Sequence, residues 1–503
     1  MNLQRFKRAP SKVLADAAWL SGGTITTFLV SIAGMILIPR FLETAAFGVW
    51  KTYQVVLQYT GLSHFGLINA LMRVGPGLAQ APDKTRFHRA MGSVLWAMVF
   101  VGLVELAVIG VLTVMRWDEP LLRYSLLLLG ALVFLQQLHM FYDCAATVTR
   151  QFKLKSVALA GFTTARTALM ILAAWAFGLE AMLVAYAITM FATTILLARR
   201  ARVRIPRGLG LGALPGLFKT GIPITAVVMV EVLVQTTDKI VTVAVLGFEM
   251  MGYYGLATMV FPLLLMLPQS FRQVVSMEVY RNADDPQTRP SANRLVRRTT
   301  LLLALAAPLM AGALFLGVEW GIRLILPRYL PGLDAMRILC FAVVPLAWTQ
   351  ACFSTLIVFR KEFFVVAAGL LAAGGNVVLS MLLLGRGGLV LEAIALVHAA
   401  GFLIFGLAVV LKAESVMRGT EPGTPGGPGL VGGAVRCLAP LVYTVAVVLA
   451  VEWLLPVYRA EDPSHLVELG RVAARLAVFG VLALPVLIPL YRLAKTSSLG
   501  NRA

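Results

Sequence analysis

Fourteen stretches of this chain are long and apolar enough, as helices, to cross a bilayer, which takes about 20 residues. Their limits are 17–39, 47–72, 91–115, 121–147, 156–177, 179–198, 215–246, 250–275, 299–325, 333–359, 363–385, 389–412, 434–456 and 468–491. In hydrocarbon each backbone N–H and C=O must be satisfied without water, so a chain built from such runs is restricted to packed helices. Of the 503 residues, 59% are hydrophobic and 14% charged. That charged share is about half that of a soluble domain. The expected fold is therefore an all-α integral membrane protein with about fourteen transmembrane helices.

The formal charge of +20 needs a location before it implies a partner. If the N-terminus is cytoplasmic and sides alternate, 29 of the 44 Lys and Arg fall in cytoplasmic segments. RRARVRIPR (199–207) is the densest run. This is the positive-inside pattern, which places both termini in the cytoplasm. It accounts for the excess base without nucleic acid. The basic start, MNLQRFKRAPSK, precedes a run long enough to span, unlike a cleaved signal. Cys144, Cys340, Cys352 and Cys437 are scattered through apolar sequence with no CxxC pair, and read as small buried hydrophobes. No metal-binding spacing is present.

The layout repeats. FGVW (47–50) aligns with MGYY (251–254), each at the start of an even-numbered span. Internal repeats of six spans are a transporter signature. The expected organisation is a six-helix lobe over 1–200, a second over 201–413, and a V-shaped cleft between them. A Gly/Pro-rich linker at 414–433, containing GTEPGTPGGPG (419–429), leads to a final pair of helices at 434–503.

Two stretches carry a family resemblance. IPRFLETAAFGVWKTYQ, in the first outer loop and second span, resembles bacterial polysaccharide flippases of the Wzx type. In the second half Asp238-Lys239, Leu246-Gly247 and Gly252-Tyr253-Tyr254 resemble the same family's seventh and eighth helices. Glu43 departs from the pattern, which has Gly at that point. The resemblance implies membership of the superfamily that also holds multidrug exporters and the peptidoglycan-precursor flippase. It implies a cargo of undecaprenyl-diphosphate-linked oligosaccharide, a bacterial inner-membrane location, and no cofactor, with Na⁺ or H⁺ coupling left open. It also implies membrane lipids, a polysaccharide polymerase and a chain-length regulator as partners.

Charges inside the spans point to candidate site residues, because each costs at least about 2.5–3.5 kcal/mol at mid-bilayer. At about 100° per residue, Glu231, Gln235, Asp238, Lys239 and Thr242 share one face of the seventh span. This polar stripe is either a structural ion-pair seam or a cavity wall. In the second span Lys51, Gln58, Asn69 and Arg73 are expected on one face, with His64 packed away from it. In the eighth, Gln269, Arg272, Gln273 and Ser276 follow i, i+3, i+4, i+7 spacing, with Thr258 on the same face. The fourth carries Gln136, His139, Asp143, Thr147 and Arg150 on one side. Arg166, near the middle of the fifth span, has no acid in its own helix, and Asp143 is its expected partner.

Lys51, Arg73, Arg166, Lys239 and Arg272 would make a cleft net positive, with Gln58, Asn69, Gln269 and Gln273 suited to sugar hydroxyls. Arg and Lys bind phosphate well. Asp143, Glu231 and Asp238 would couple an ion or neutralise these cations. No catalytic motif appears, and no outer loop is long enough for a catalytic domain. The expected function is alternating-access translocation of a lipid-linked oligosaccharide. The alternative is a cation-coupled multidrug exporter, against which the scarcity of acids within the spans argues.

Overall fold

The computed structural model describes residues 10–80, 84–149, 151–201, 211–281, 288–384, 390–420, 430–455 and 465–499. Arg150, residues 202–207 of the basic run and most of the Gly/Pro-rich segment lie outside the described residues. Among the described residues there is no strand.

The chain divides into two compact units, Met1–Val232 and Leu233–Ala503. The first contains helices α1 (Pro10–Phe41), α2 (Thr44–Thr60), α3 (Leu67–Gln80), α4 (Thr85–Met115), α5 (Pro120–Val148), α6 (Phe152–Phe177), α7 (Leu179–Arg200) and the start of α8 (Leu214–Ala257). The second holds the rest of α8, then α9 (Val260–Arg281), α10 (Arg289–Ile325), α11 (Leu333–Ala342), α12 (Val344–Val358), α13 (Glu362–Leu384), α14 (Val390–Gly419), α15 (Leu430–Leu454), α16 (His465–Leu482) and α17 (Leu484–Leu499). Helix therefore continues into both ends of the expected 414–433 linker.

Among the described residues, ten helical segments are long and apolar enough to span, or eleven if α16 and α17, bent by 65° where they meet, count as one. The expected count of fourteen is not reached by this measure. The first expected span contributes a shorter apolar helix, Thr26–Phe41. The second and eighth are interrupted.

The break in the second expected span corrects the sequence reading. Residues 61–66 leave the helix, with Phe65 and Gly66 at φ 47° and 87°. Lys51 and Gln58 lie on α2, Asn69 and Arg73 on α3, so the four do not form one helical stripe. A break exposes backbone carbonyls that hydrocarbon cannot satisfy. Here α5 supplies donors. Gln136 Nε2 donates to Leu57 O at 2.9 Å, and Gln137 Nε2 to Thr60 O at 2.7 Å and Ser63 Oγ at 3.0 Å. His64 is buried, and its Nδ1 accepts the Gly66 N–H at 3.0 Å. In the eighth expected span α8 stops at Ala257 and α9 starts at Val260. Gln269, Arg272, Gln273 and Ser276 stay together on α9, whereas Thr258 falls in the break.

Packing in the first unit centres on α3, α4 and α5, whose Leu71, Met91, Met98, Phe141 and Cys144 form a buried apolar cluster. Glycines let backbones approach, as small residues do between membrane helices. A Cβ on Gly221 of α8 would lie 2.1 Å from the carbonyl oxygen of Gly66. In the second unit, the segment from Pro327 to Val358 is 83% buried over its apolar window, so α11 and α12 form the hub. The final helices pack on α10 through Leu305, Leu316, Val448, Val451 and Phe479.

The two copies of the repeat start differently. Glu43 precedes α2 in an ordinary extended conformation, φ −65° and ψ 154°. The corresponding Gly247 has φ 81° within α8. Only the second position needs glycine, which explains why Glu43 is accommodated.

Candidate functional site

The polar face of α8 supplies the most buried acid. Asp238 is fully buried, and its Oδ2 accepts the Tyr254 hydroxyl at 2.8 Å. His398 of α14 places Nε2 3.4 Å from the same oxygen. That separation is within ion-pair range, but the geometry is not that of a hydrogen bond, and neither His398 Nε2 nor Asp238 Oδ1 has a hydrogen-bond partner. On the far side of the ring, Asn376 Nδ2 donates to His398 Nδ1 at 2.8 Å, and Ser380 Oγ donates to Asn376 Oδ1 at 3.4 Å. With Nδ1 accepting, the neutral imidazole carries its proton on Nε2, facing Asp238. Ser380, Asn376, His398, Asp238 and Tyr254 thus form one buried polar chain across α13, α14 and α8.

Lys239, next to Asp238, does not pair with it. Its Nζ donates to Gln235 O at 2.8 Å and lies 5.2 Å from the centre of the Phe261 ring. Lys239 makes no ion pair among the described residues. Glu231 and Gln235 are half-buried on the same helix. On α9, Arg272 donates to Gln350 Oε1 at 3.3 Å and sits 4.9 Å over Phe353. Gln269 and Gln273 are exposed.

In the first unit, Arg166 of α6 lies over two rings, Phe162 at 4.8 Å and Tyr186 at 5.0 Å, with the Tyr186 hydroxyl at 3.4 Å. The expected Arg166–Asp143 pair does not form. Asp143 instead accepts from Lys155 at 2.8 Å, and Lys155 also reaches Thr147 at 2.9 Å. Lys155 stands at the start of α6, where the short α5–α6 connection brings it beside Asp143, while Arg166 is three turns further along. Lys51 lies 5.3 Å from the Phe47 ring, and Asn69 donates to Thr225 at 2.7 Å. Gln58 and Arg73 are exposed. Glu105 of α4, 2.9 Å from Gln137 Nε2, is an in-span acid that the sequence reading passed over.

Among the described residues no group of three or more His, Cys, Asp or Glu could hold a metal ion. The arrangement offers two chemical capacities. One is cationic, from Arg166 and Lys239 held by ring faces and neutral oxygens. The other is a protonatable chain around Asp238 and His398.

Residues 36–327 match the family described as polysaccharide biosynthesis protein, more than half of the chain. No curated protein sequence matches. Among solved structures, the lipid II flippase MurJ in an inward closed conformation is similar, with a TM-score of 0.65 at 13% identity, covering 93% of this chain and 99% of that one. An inward-facing multidrug resistance MATE family transporter of the MOP superfamily gives a TM-score of 0.62 at 11% identity, covering 79% and 96%. A eukaryotic MATE transporter, AtDTX14, gives 0.55 at 12% identity, covering 86% and 98%. At these identities the likeness establishes the fold.

Proposed function

The chain belongs to the polysaccharide biosynthesis protein family, and from that premise we propose that it translocates an undecaprenyl-diphosphate-linked oligosaccharide across a bacterial inner membrane by alternating access. The observation that carries this reading is the state of the in-span cations. Arg166 and Lys239 make no ion pair among the described residues and are held over aromatic rings. A cation–π contact contributes about 0.5–2 kcal/mol, whereas a mid-span charge costs at least about 2.5–3.5 kcal/mol. The ring contacts alone do not offset that cost, so these cations suit a wet path that takes an anion. A lipid diphosphate is such an anion, and its glycan needs the amide and hydroxyl side chains nearby. An exporter of cationic drugs would be opposed by the same charges.

The coupling ion in this reading is H⁺. Asp238 and His398 face each other with hydrogen-bonding capacity unmet on both sides, and a proton taken up or released by this carboxylate–imidazole pair changes the charge of a fully buried junction. In this reading Lys51 and Arg73 add to the cations of the first unit and Arg272 to those of the second, and Gln58, Asn69, Gln269 and Gln273 contact sugar. Asp143 and Glu231 act as counter-charges. The wild-type chain and the Arg166→Gln and Lys239→Gln variants, in proteoliposomes with a fluorescent polyprenyl-diphosphate glycan, test this. Each variant should slow translocation at least about tenfold while staying folded, its stability lowered by no more than the lost ring contact is worth, about 0.5–2 kcal/mol. Wild-type rates in both would overturn the reading.

A further inference from the structure

Five helices of the second unit line a pocket of about 270 Å³. It lies between residues 294–301 of α10, Cys352 of α12, residues 410–417 of α14, residues 433–437 of α15 and Leu493 of α17. Its rim carries Arg294, Arg297, Arg298 and Arg436 against a single acid, Glu414. Glu414 is buried and already engaged, by Arg297 at 3.0 Å and Arg418 at 3.3 Å. Arg298 donates to Leu493 O at 2.6 Å. Arg294 and Arg436 are exposed and make no ion pair among the described residues. The floor is apolar, formed by Leu301, Val410 and Met417.

A concentration of guanidinium groups with three positive charges in excess is a site for an anion with several acceptor oxygens, above all a phosphate. The volume is small for a ligand site, below the usual range of about 300–1,000 Å³. It suits a headgroup and excludes an oligosaccharide. Two observations favour a lipid over a free phosphate. The pocket lies near the ends of the apolar runs 299–325, 333–359, 389–412, 434–456 and 468–491, where spans are expected to meet the membrane–water border. Its floor is apolar.

We propose that this pocket binds the phosphate headgroup of an anionic phospholipid. The site is separate from the proposed transport path and does not rest on that activity. Binding there would tie α10, α14, α15 and α17 to the lipid composition of the leaflet they face.

The test uses the full-length chain, purified in detergent and titrated with phosphatidylglycerol or phosphatidylcholine of matched acyl chains, read by native mass spectrometry. The wild type should retain phosphatidylglycerol at least about tenfold more tightly. Arg294→Gln/Arg436→Gln, which changes two exposed side chains, should reduce that preference about tenfold or more, at about 1 kcal/mol per basic residue near a membrane surface. Its elution and melting should match the wild type. Equal retention of both lipids by the wild type, or an unchanged preference in the double variant, would overturn the proposal. Displacement of phosphatidylglycerol by inorganic phosphate would overturn the lipid assignment in favour of a free phosphate site. Stronger retention of a polyprenyl diphosphate than of phosphatidylglycerol, lost in the same variant, would assign the pocket to the transported lipid instead.

Discussion

Adjacent charges of opposite sign at Asp238 and Lys239 invite the interpretation of a buried ion pair, and a double-mutant cycle decides whether they form one. A direct buried pair would make each single alanine variant costly, by about 3–5 kcal/mol, because its partner would remain uncompensated. Removing both would then recover most of the loss. The structure gives the two residues different partners. Asp238 is held by the Tyr254 hydroxyl at 2.8 Å and faces His398. Lys239 is held by Gln235 O and the Phe261 ring. Asp238→Ala removes a charged acceptor, worth about 1.5–3 kcal/mol. Lys239→Ala removes a cation–π contact of about 0.5–2 kcal/mol. The two effects should nearly add. Phe261 is a shared neighbour, since it lies under Lys239 and stacks on His398 at 6.0 Å, so a coupling below about 1 kcal/mol is expected. Translocation rates of the four proteins in proteoliposomes, converted to free energies, give the coupling, and melting temperatures give it independently. A double variant that recovers toward wild type by more than about 2 kcal/mol would refute the assignment of separate partners.

Three further outcomes follow from the packing. Gly221→Ala should abolish the yield of folded protein by size-exclusion chromatography, because its Cβ would stand 2.1 Å from Gly66 O; Gly216→Ala, with nothing within 4 Å, should elute normally. Gln137→Leu should destabilise the first unit by about 1–3 kcal/mol, by removing a buried amide that donates to Thr60 O and to the Glu105 carboxylate, seen as a lower melting temperature and faster amide exchange over 57–66. Arg337→Met should loosen α15, because Arg337 bridges Glu319 at 2.8 Å and Glu452 at 2.9 Å while half-buried. Its cost should be about 3–5 kcal/mol at most, read as faster exchange in α15 and α16. The exposed Arg116–Glu119 pair is the control, and Arg116→Ala should change little.

Hydrocarbon leaves a chain few options, which is why the helical runs were legible. Most of each expected run is helix, because an apolar segment in lipid must satisfy its own backbone. The break at 61–66 was not legible as such, because no proline marks it. Its signal is GLSHFG, two glycines enclosing Ser63 and His64, with Gln136 and Gln137 some 75 residues away supplying donors. The polar stripe of α8 was legible from helical spacing. Its partners were not: Asn376 and His398 are isolated polar residues within apolar runs, and nothing local shows that α13 and α14 bring them to Asp238. The ion network of Glu319, Arg337, Glu452 and Arg475 was hidden for the same reason, since Arg337 and Glu452 are 115 residues apart. For Arg166, periodicity indicated that a partner was required, but the identity of that partner depends on axial position, which places Lys155 rather than Arg166 beside Asp143.

The central claim is that the cargo is a diphosphate-linked glycan moved between leaflets. Mass spectrometry of lipid-linked glycans in cells depleted of this protein, with a leaflet-resolving probe, tests it most directly. The account predicts that a polyprenyl-diphosphate oligosaccharide accumulates on the cytoplasmic leaflet. An unchanged lipid pool, accompanied by altered sensitivity to cationic drugs, would contradict it.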